Sequence, residues 1–157
     1  MDMPPILVDQ REGLPYTFQH PRYAGVLVKP GSLKTGDYSL DGYEGQAAVE
    51  RKELGDLIAC LMGENRARFE RELERGVQLL AFMVVVEAPW VSVVKGDYTS
   101  NMRPHSACQS ILAFAQRYRV TFHFAGTRAA AEYCTWGFLR QFWRDRVEEV
   151  KKAEKEK

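Results

Sequence analysis

The chain has 157 residues, of which 45% are hydrophobic, and a formal net charge of +1. This length suits one domain with a buried core, and the hydrophobic share excludes an intrinsically disordered chain. No apolar run could cross a membrane, no secretion signal is visible, and the three widely spaced cysteines fit reduced thiols better than a zinc site or disulfides. We therefore expect a cytoplasmic protein whose residues 1–150 form one domain, followed by a charged, frayed tail at 151–157.

Apolar runs and turn residues predict strands that alternate with helices along the chain. Strands are expected at 6–9, 25–29, 37–40, 47–52, 81–87 and 120–124, with Pro30-Gly31 as a turn after the second. Helices are expected after residue 53, over a segment with apolar positions Phe69, Leu73, Val77 and Leu80, over 104–118, and from Thr127 onward. This order predicts an α/β fold with a mixed central sheet flanked by helices.

Two neighbouring segments carry the residues with the clearest chemistry, Gly36-Asp37-Tyr38 and Val49 to Asp56. If 47–52 is a strand, Glu50 and Lys52 project from one face and Arg51 from the other. Turn residues between the segments can fold one strand back, so that Asp37 approaches Glu50. Carboxylates are the hard oxygen ligands that magnesium prefers, and an ammonium beside them can stabilise charge on a phosphate. The alternative is an exposed charge cluster where a strand meets a helix.

The pattern Gly-Asp, then Glu-Arg-Lys, then three residues and Asp resembles the motif of XPF-type structure-selective DNA endonucleases. The matching residues are Asp37, Glu50, Arg51, Lys52 and Asp56. The segment from Ile6 to Glu12 is similar to the first strand of that family, and Ala81 to Glu87 to a later central strand. The resemblance covers nearly the whole chain, although relatives commonly carry a tandem helix-hairpin-helix module that has no counterpart among these residues.

The resemblance implies a restriction-endonuclease-like fold and a Mg²⁺- or Mn²⁺-dependent DNA endonuclease that acts on branched or otherwise structured DNA. It also implies that the motif acids Asp37 and Glu50 bind the metal, and that Lys52 and Asp56 support catalysis. Two alternatives remain open. One is a Holliday-junction resolvase or restriction-type nuclease of the same fold, and the other is a non-catalytic DNA-binding or scaffolding partner.

Further site candidates lie beside the motifs. Asp9 is expected to join the metal shell, with the alternative that it pairs with Arg11 or caps a turn. Possible site-lining residues are Arg11, Glu12 and Glu87. The expected DNA contacts are Arg51, Arg66 and Arg68. The resemblance places an arginine just after the first motif helix, but interleaved acids there also fit a solvated helix face.

The last helix is unusually rich in aromatic residues. Phe138, Phe142 and Trp143 widen its apolar surface beyond what a helix on one core normally shows. Aromatic surface is enriched in protein interfaces, and nuclease domains of the resembled family pair through their C-terminal helices. We therefore expect a homodimer through this helix. The alternative is a helix wedged between two layers of its own domain.

Overall fold

The computed structural model describes residues 2–157, in which strands and helices alternate along much of the chain. The strands are β1 (Ile6–Asp9), β2 (Val28–Gly31), β3 (Tyr38–Leu40), β4 (Ala47–Lys52), β5 (Ala81–Val86) and β6 (Thr121–Phe124). The helices are α1 (Leu54–Ala59), α2 (Gly63–Val77), α3 (Trp90–Lys95), α4 (Pro104–Tyr118) and α5 (Arg128–Lys155). The predicted α/β class is confirmed.

The strands form one mixed sheet in the order β2-β1-β3-β4-β5-β6. β3 is antiparallel to β1 and to β4, whereas the other neighbouring pairs are parallel. The predicted return of the chain from β3 to β4 is present, because Tyr38 pairs with Val49 and the Asp37 N–H donates to the Val49 carbonyl at 2.8 Å. This pairing sets Asp37 beside the end of β4.

The sheet separates two hydrophobic clusters, and β5 shows the division most clearly. Met83 and Val85 pack with α5 and the N-terminal aromatic residues, whereas Val84 and Val86 pack with α1, α2 and α4. The side-chain period of two in a strand produces this division. By the same alternation in β4, Glu50 and Lys52 lie on the side of α1 and α2, whereas Val49 and Arg51 face the other side.

The buried side of α2 differs from the predicted one. Phe69 and Leu73 are buried as expected, but the next buried position is Gly76, and the expected Val77 and Leu80 are exposed. A Cβ atom on Gly76 would lie 2.2 Å from the Phe82 ring, so glycine allows α2 to approach β5 closely. The error arose because Gly76 carries no hydrophobic side chain for the sequence pattern to detect.

Three other segments depart from the sequence-based expectations. β2 begins at Val28 and includes Pro30 and Gly31, which pair with β1 instead of forming a turn. The short helix α3 was not anticipated. The final helix continues to Lys155, through most of the segment expected to be frayed.

Within residues 2–157, no helix has the length and apolar character that a membrane crossing requires.

Much of the aromatic surface of α5 is used within the domain. Phe142 is buried, and the Tyr43 ring meets Phe142 and Trp143 edge-on at centroid distances of 5.8 and 5.6 Å. Phe138 also packs against the same cluster. These contacts fit the alternative in which the helix covers its own core.

Gly36 generates a prediction about how Asp37 is positioned. Its φ is +78°, and an added Cβ would lie 2.9 Å from the Ala48 Cβ and 3.1 Å from the Val49 carbonyl oxygen. Gly36→Ala should therefore lower the free energy of unfolding by about 2–5 kcal/mol. Alanine is strained in the left-handed backbone conformation, and its methyl group would overpack against Ala48 and Val49. Urea denaturation measures the loss. Gly42→Ala is the matched control, because Gly42 has φ +85° and open space around it; equal losses in both variants would contradict the packing argument.

Candidate active site

An open cleft of about 400 Å³ lies where the end of β4 meets α1 and α2. The structure brings seven of the predicted site residues together on its walls: Glu12, Asp37, Glu50, Arg51, Lys52, Asp56 and Arg68. Asp56 is exposed in the first turn of α1, away from the buried Leu57 and Ile58, as the helical spacing predicts.

Two carboxylates, Asp37 and Glu50, dominate the electrostatics of the cleft. Burial raises the pKa of Asp37 to about 6, and the charge of Glu12 adds to this shift, although the Arg51 N–H donates to the Asp37 carboxylate at 2.8 Å. Burial, together with the charge of Asp37, also raises the pKa of Glu50 well above its ordinary value. The two groups therefore oppose each other's ionisation, and a cation between them would relieve that repulsion.

Lys52 supplies positive charge beside these acids. Its Nζ lies 3.3 Å from Glu50 Oε1 and 5.4 Å from the centre of the Phe69 ring. Burial alone would lower the pKa of Lys52, but neighbouring negative charges, chiefly Glu50, raise it above its ordinary value. Lys52 is therefore a fixed ammonium in the cleft.

The structure does not bring Asp9 to the cleft walls. Its carboxylate accepts hydrogen bonds from the Arg11 backbone N–H, the Arg11 guanidinium and the Leu33 N–H. The Arg11 side chain is the main cause that lowers the pKa of Asp9 to about 2. The expected metal role thus has no geometric support, and the alternative pairing of Asp9 with Arg11 is what the structure contains. Arg11 itself is exposed and also lies outside the cleft walls.

Arg51, predicted to contact DNA, lines the cleft and also belongs to a buried ion-pair network. Its guanidinium donates to Glu87, lies 3.3 Å from Glu12 Oε2, and stacks over the Tyr16 ring at 5.2 Å. The side chains of Arg51 and Glu87 are only 8% and 7% exposed. The Tyr16 hydroxyl also donates to Glu87. This arrangement fits a structural role for Arg51 and Glu87, because both side chains are already paired away from the solvent.

The two arginines of α2 that were predicted to contact DNA have different surroundings. Arg66 donates to the Leu61 carbonyl at 3.0 Å and to Ser110 Oγ at 2.9 Å, and it covers the Phe114 ring at 4.6 Å. It therefore ties α2 to α4. Arg68 is exposed on the cleft wall, where a phosphate could reach it.

Sequence reasoning missed two polar residues of α2 that also line the cleft, Asn65 and Glu72. With Arg68 they follow the spacing i, i+3 and i+7, which places all three on one side of a helix. That spacing was a usable signal, but alternating acids and arginines in the same segment suggested a solvated face. Cys60 completes this part of the wall.

Comparisons with known proteins agree with this fold. The ERCC4 domain family model matches residues 8–136, so the chain belongs to that family. XPF from Aeropyrum pernix has the same fold, with a TM-score of 0.68 at 22% identity over 88% of this chain and 61% of that chain. XPF from Aeropyrum pernix in complex with DNA gives 0.67 at 21% identity, over 90% and 66%. The chain thus spans less than two thirds of either structure, and no curated protein sequence matches it significantly.

The Arg51 network generates a prediction about stability. Arg51→Ala should lower the free energy of unfolding by about 2–3 kcal/mol, because the largely buried carboxylate of Glu87 loses its nearest cation and keeps only Arg128, whose Nη1 lies 3.6 Å away. Arg68→Ala is the matched control in the same cleft, and as an exposed residue it should change stability by less than about 0.5 kcal/mol. Denaturant titration of both variants provides the comparison. Similar small changes would show that the Arg51 pairings contribute little to the fold.

Proposed function

We propose that this ERCC4-domain protein is a metal-dependent DNA endonuclease that hydrolyses phosphodiester bonds in branched or structured DNA. The observation that carries the proposal is the pair of carboxylates, the partly buried Asp37 and the buried Glu50, beside the charged Lys52 in an open cleft. Acids that oppose each other's ionisation cost stability unless a cation joins them, and functional sites are where such groups occur.

The donor set of the cleft fits Mg²⁺ or Mn²⁺. Magnesium is commonly bound through one or two carboxylates while it keeps several waters, and Asp37 and Glu50 would supply those carboxylates. Within residues 2–157, no group of three histidine, cysteine or acidic side chains is arranged to hold a metal ion. Solvent and substrate oxygens would therefore complete the coordination. Once bound, the metal supplies an activated water and counter-charge for the phosphate.

The remaining residues of the cleft have separate roles in this proposal. Lys52 holds its ammonium beside Glu50, where it stabilises negative charge that develops on the phosphoryl oxygens. Asp56, exposed at the start of α1 on the cleft wall, would orient water there. Arg68 contacts a phosphate of the DNA backbone, since it is the exposed arginine on the cleft wall.

The DNA substrate rests on two supports. The chain belongs to the ERCC4 domain family, and the similar XPF from Aeropyrum pernix has been captured in complex with DNA.

We assign the nuclease domain to residues 1–150 and a charged end to 151–157. We also expect the protein in the cytoplasm, where the free thiols Cys60, Cys108 and Cys134 would stay reduced.

The first functional prediction concerns the metal. Asp37→Asn and Glu50→Gln should each abolish cleavage, because a neutral amide keeps the shape of the side chain but loses the charge that binds the cation. Labelled flap, fork, four-way junction and plain duplex DNA should be tested with Mg²⁺, with Mn²⁺ and with excess EDTA. Binding of the same DNA should persist in both variants.

Asp97→Asn is the matched control, because Asp97 is exposed on a loop outside the cleft. It should cut at the rate of the unaltered protein. Full activity in EDTA, or in either cleft variant, would contradict the assignment. Preferential cutting of the four-way junction would favour the resolvase alternative over a flap or fork endonuclease.

The second functional prediction separates Arg68 from Arg66. Arg68→Ala should weaken DNA binding and reduce the salt slope of the binding constant by about 1, as expected when one phosphate contact is lost. Arg66→Ala should leave that slope unchanged and instead lower stability, because it removes the ties to Leu61 and Ser110. Fluorescence anisotropy at several salt concentrations measures the slopes. Unchanged salt slopes in both variants would show that this side of α2 is a solvated helix face that does not contact DNA.

Homodimerisation through α5 is part of the proposal and rests on the surface that the domain leaves open. Tyr133 is exposed, and Trp136 and Trp143 flank a groove of about 660 Å³. Sedimentation equilibrium should give a dimer mass, and Tyr133→Glu should shift the protein to monomer without unfolding it, because it sets a charge in an apolar contact. Leu112→Glu, an exposed position on α4, is the control. A monomer mass for the unaltered protein would reject the dimer.

A further inference from the structure

One side of α2 carries a row of three arginines that begins in the cleft. Arg68 lies on the cleft wall, and Arg71 and Arg75 follow it at spacings of three and four residues. Successive residues of a helix turn by about 100°, so these spacings keep the three side chains within about 60° of one another around α2. All three residues are exposed. The α2 arginine row therefore leads from the cleft along the solvent-facing side of the helix.

The arginines of this row have no partner within the domain. In the part of the chain that the structure describes, none of the three side chains forms an ion pair. Glu64 lies one turn before Arg68 but does not pair with it. Glu70 is engaged on the other side of α2, where it accepts hydrogen bonds from Arg117 at 2.9 Å and from the Tyr118 hydroxyl at 2.7 Å. The row thus presents three unpaired positive charges to the solvent.

The length of the row matches a short stretch of DNA backbone. A helix rises about 1.5 Å per residue, so Arg68 and Arg75 lie about 10 Å apart along the axis of α2. Each strand of duplex DNA advances about 3.4 Å per phosphate along its axis, so this length covers roughly three base-pair steps. The planar fork of donors in a guanidinium group also suits phosphate oxygens.

The position of the row narrows the partner further. Its first arginine shares the cleft with the acids Asp37 and Glu50, which are proposed to hold the metal at the phosphate that is cut. A nucleic-acid backbone is a polyanion that continues from that phosphate to the rest of the row. A duplex holds its phosphates at a fixed spacing, whereas a single strand would lose conformational entropy on being ordered along a rigid helix.

We propose that the α2 arginine row binds the phosphate backbone of a duplex arm of the substrate and directs that arm from the cleft along α2; this rests on the proposed endonuclease function. Arg68 contacts a phosphate beside the cut, and Arg71 and Arg75 contact phosphates further along the same strand. Phosphate contacts carry no sequence information, so the row positions the arm whatever its sequence.

The first test measures binding without cleavage, by fluorescence anisotropy of labelled flap DNA in EDTA at several salt concentrations. Arg71→Ala and Arg75→Ala should each reduce the salt slope of the binding constant by about 1, and the double variant by about 2, because each lost phosphate contact releases fewer counterions. Arg75→Lys should keep the slope, since it retains the charge. Lys152→Ala is the matched control, because it removes an exposed positive charge from α5 and should leave the slope unchanged.

The second test removes charge from the DNA instead of the protein. Neutral methylphosphonates should replace the phosphates of three base-pair steps beside the cut, on each side of it in turn. On one side, the replacement should weaken binding of the unaltered protein by about 10-fold or more, as expected for the loss of charged hydrogen bonds. Binding of the Arg71→Ala, Arg75→Ala double variant should weaken markedly less, because two of the contacts are already missing. Equal losses in both proteins would overturn the role of the row.

The remaining outcomes separate this inference from the endonuclease proposal. Making the arm on that side single-stranded should weaken binding of the unaltered protein, and equal affinity for both forms would overturn the duplex as the partner. If the unaltered protein cuts flap DNA with Mg²⁺ while the substitutions leave the salt slopes unchanged, only the role of the row is overturned. If the expected slopes are found but none of the four DNA substrates is cut with Mg²⁺ or Mn²⁺, the row is supported as a DNA-binding surface and the endonuclease function is overturned.

Discussion

The alternation of side chains along β4 is the constraint on which the rest of the site depends. Glu50 and Lys52 emerge on the side of α1 and α2, and between them Arg51 emerges on the side of α5. One strand thus supplies the charged residues of the cleft and, on its reverse face, the cation of a buried ion-pair network. A shift of one residue in its pairing with β3 would exchange these roles, so the 2.8 Å bond from Asp37 N–H to the Val49 carbonyl fixes both faces at once.

The acids of the cleft are electrostatically unfavourable in a fold whose other charged groups are mostly paired. The pKa values of Asp37 and Glu50 are raised, chiefly by burial, and Glu72 Oε2 has no hydrogen-bond donor, whereas the acids on the other face are well paired. Sites that bind charged ligands commonly carry such local conflict, and the surrounding fold must tolerate it. Here the two hydrophobic clusters and the Arg51 network hold the elements that carry the acids.

The sequence was sufficient wherever local periodicity determined the outcome. The approach of Asp37 to Glu50 followed from strand alternation and turn residues, and it needed no knowledge of distant contacts. Contacts between distant parts of the chain determined the positions of other predicted residues. The Asp9 carboxylate accepts a hydrogen bond from the Leu33 N–H, and Arg66 donates to Ser110, which lies 44 residues further along the chain. Glu72 was missed because the acids and arginines that alternate along α2 also fit a solvated helix face.

Pro30 has a consequence for how the protein resists aggregation. It lies in β2, at one edge of the sheet, where an unpaired row of N–H and C=O groups could recruit a strand from another chain. Proline has no N–H to offer to an added strand. Addition of a strand from another chain at β2 is therefore disfavoured. Edge-to-edge pairing of sheets from different molecules is expected at the other edge strand, β6.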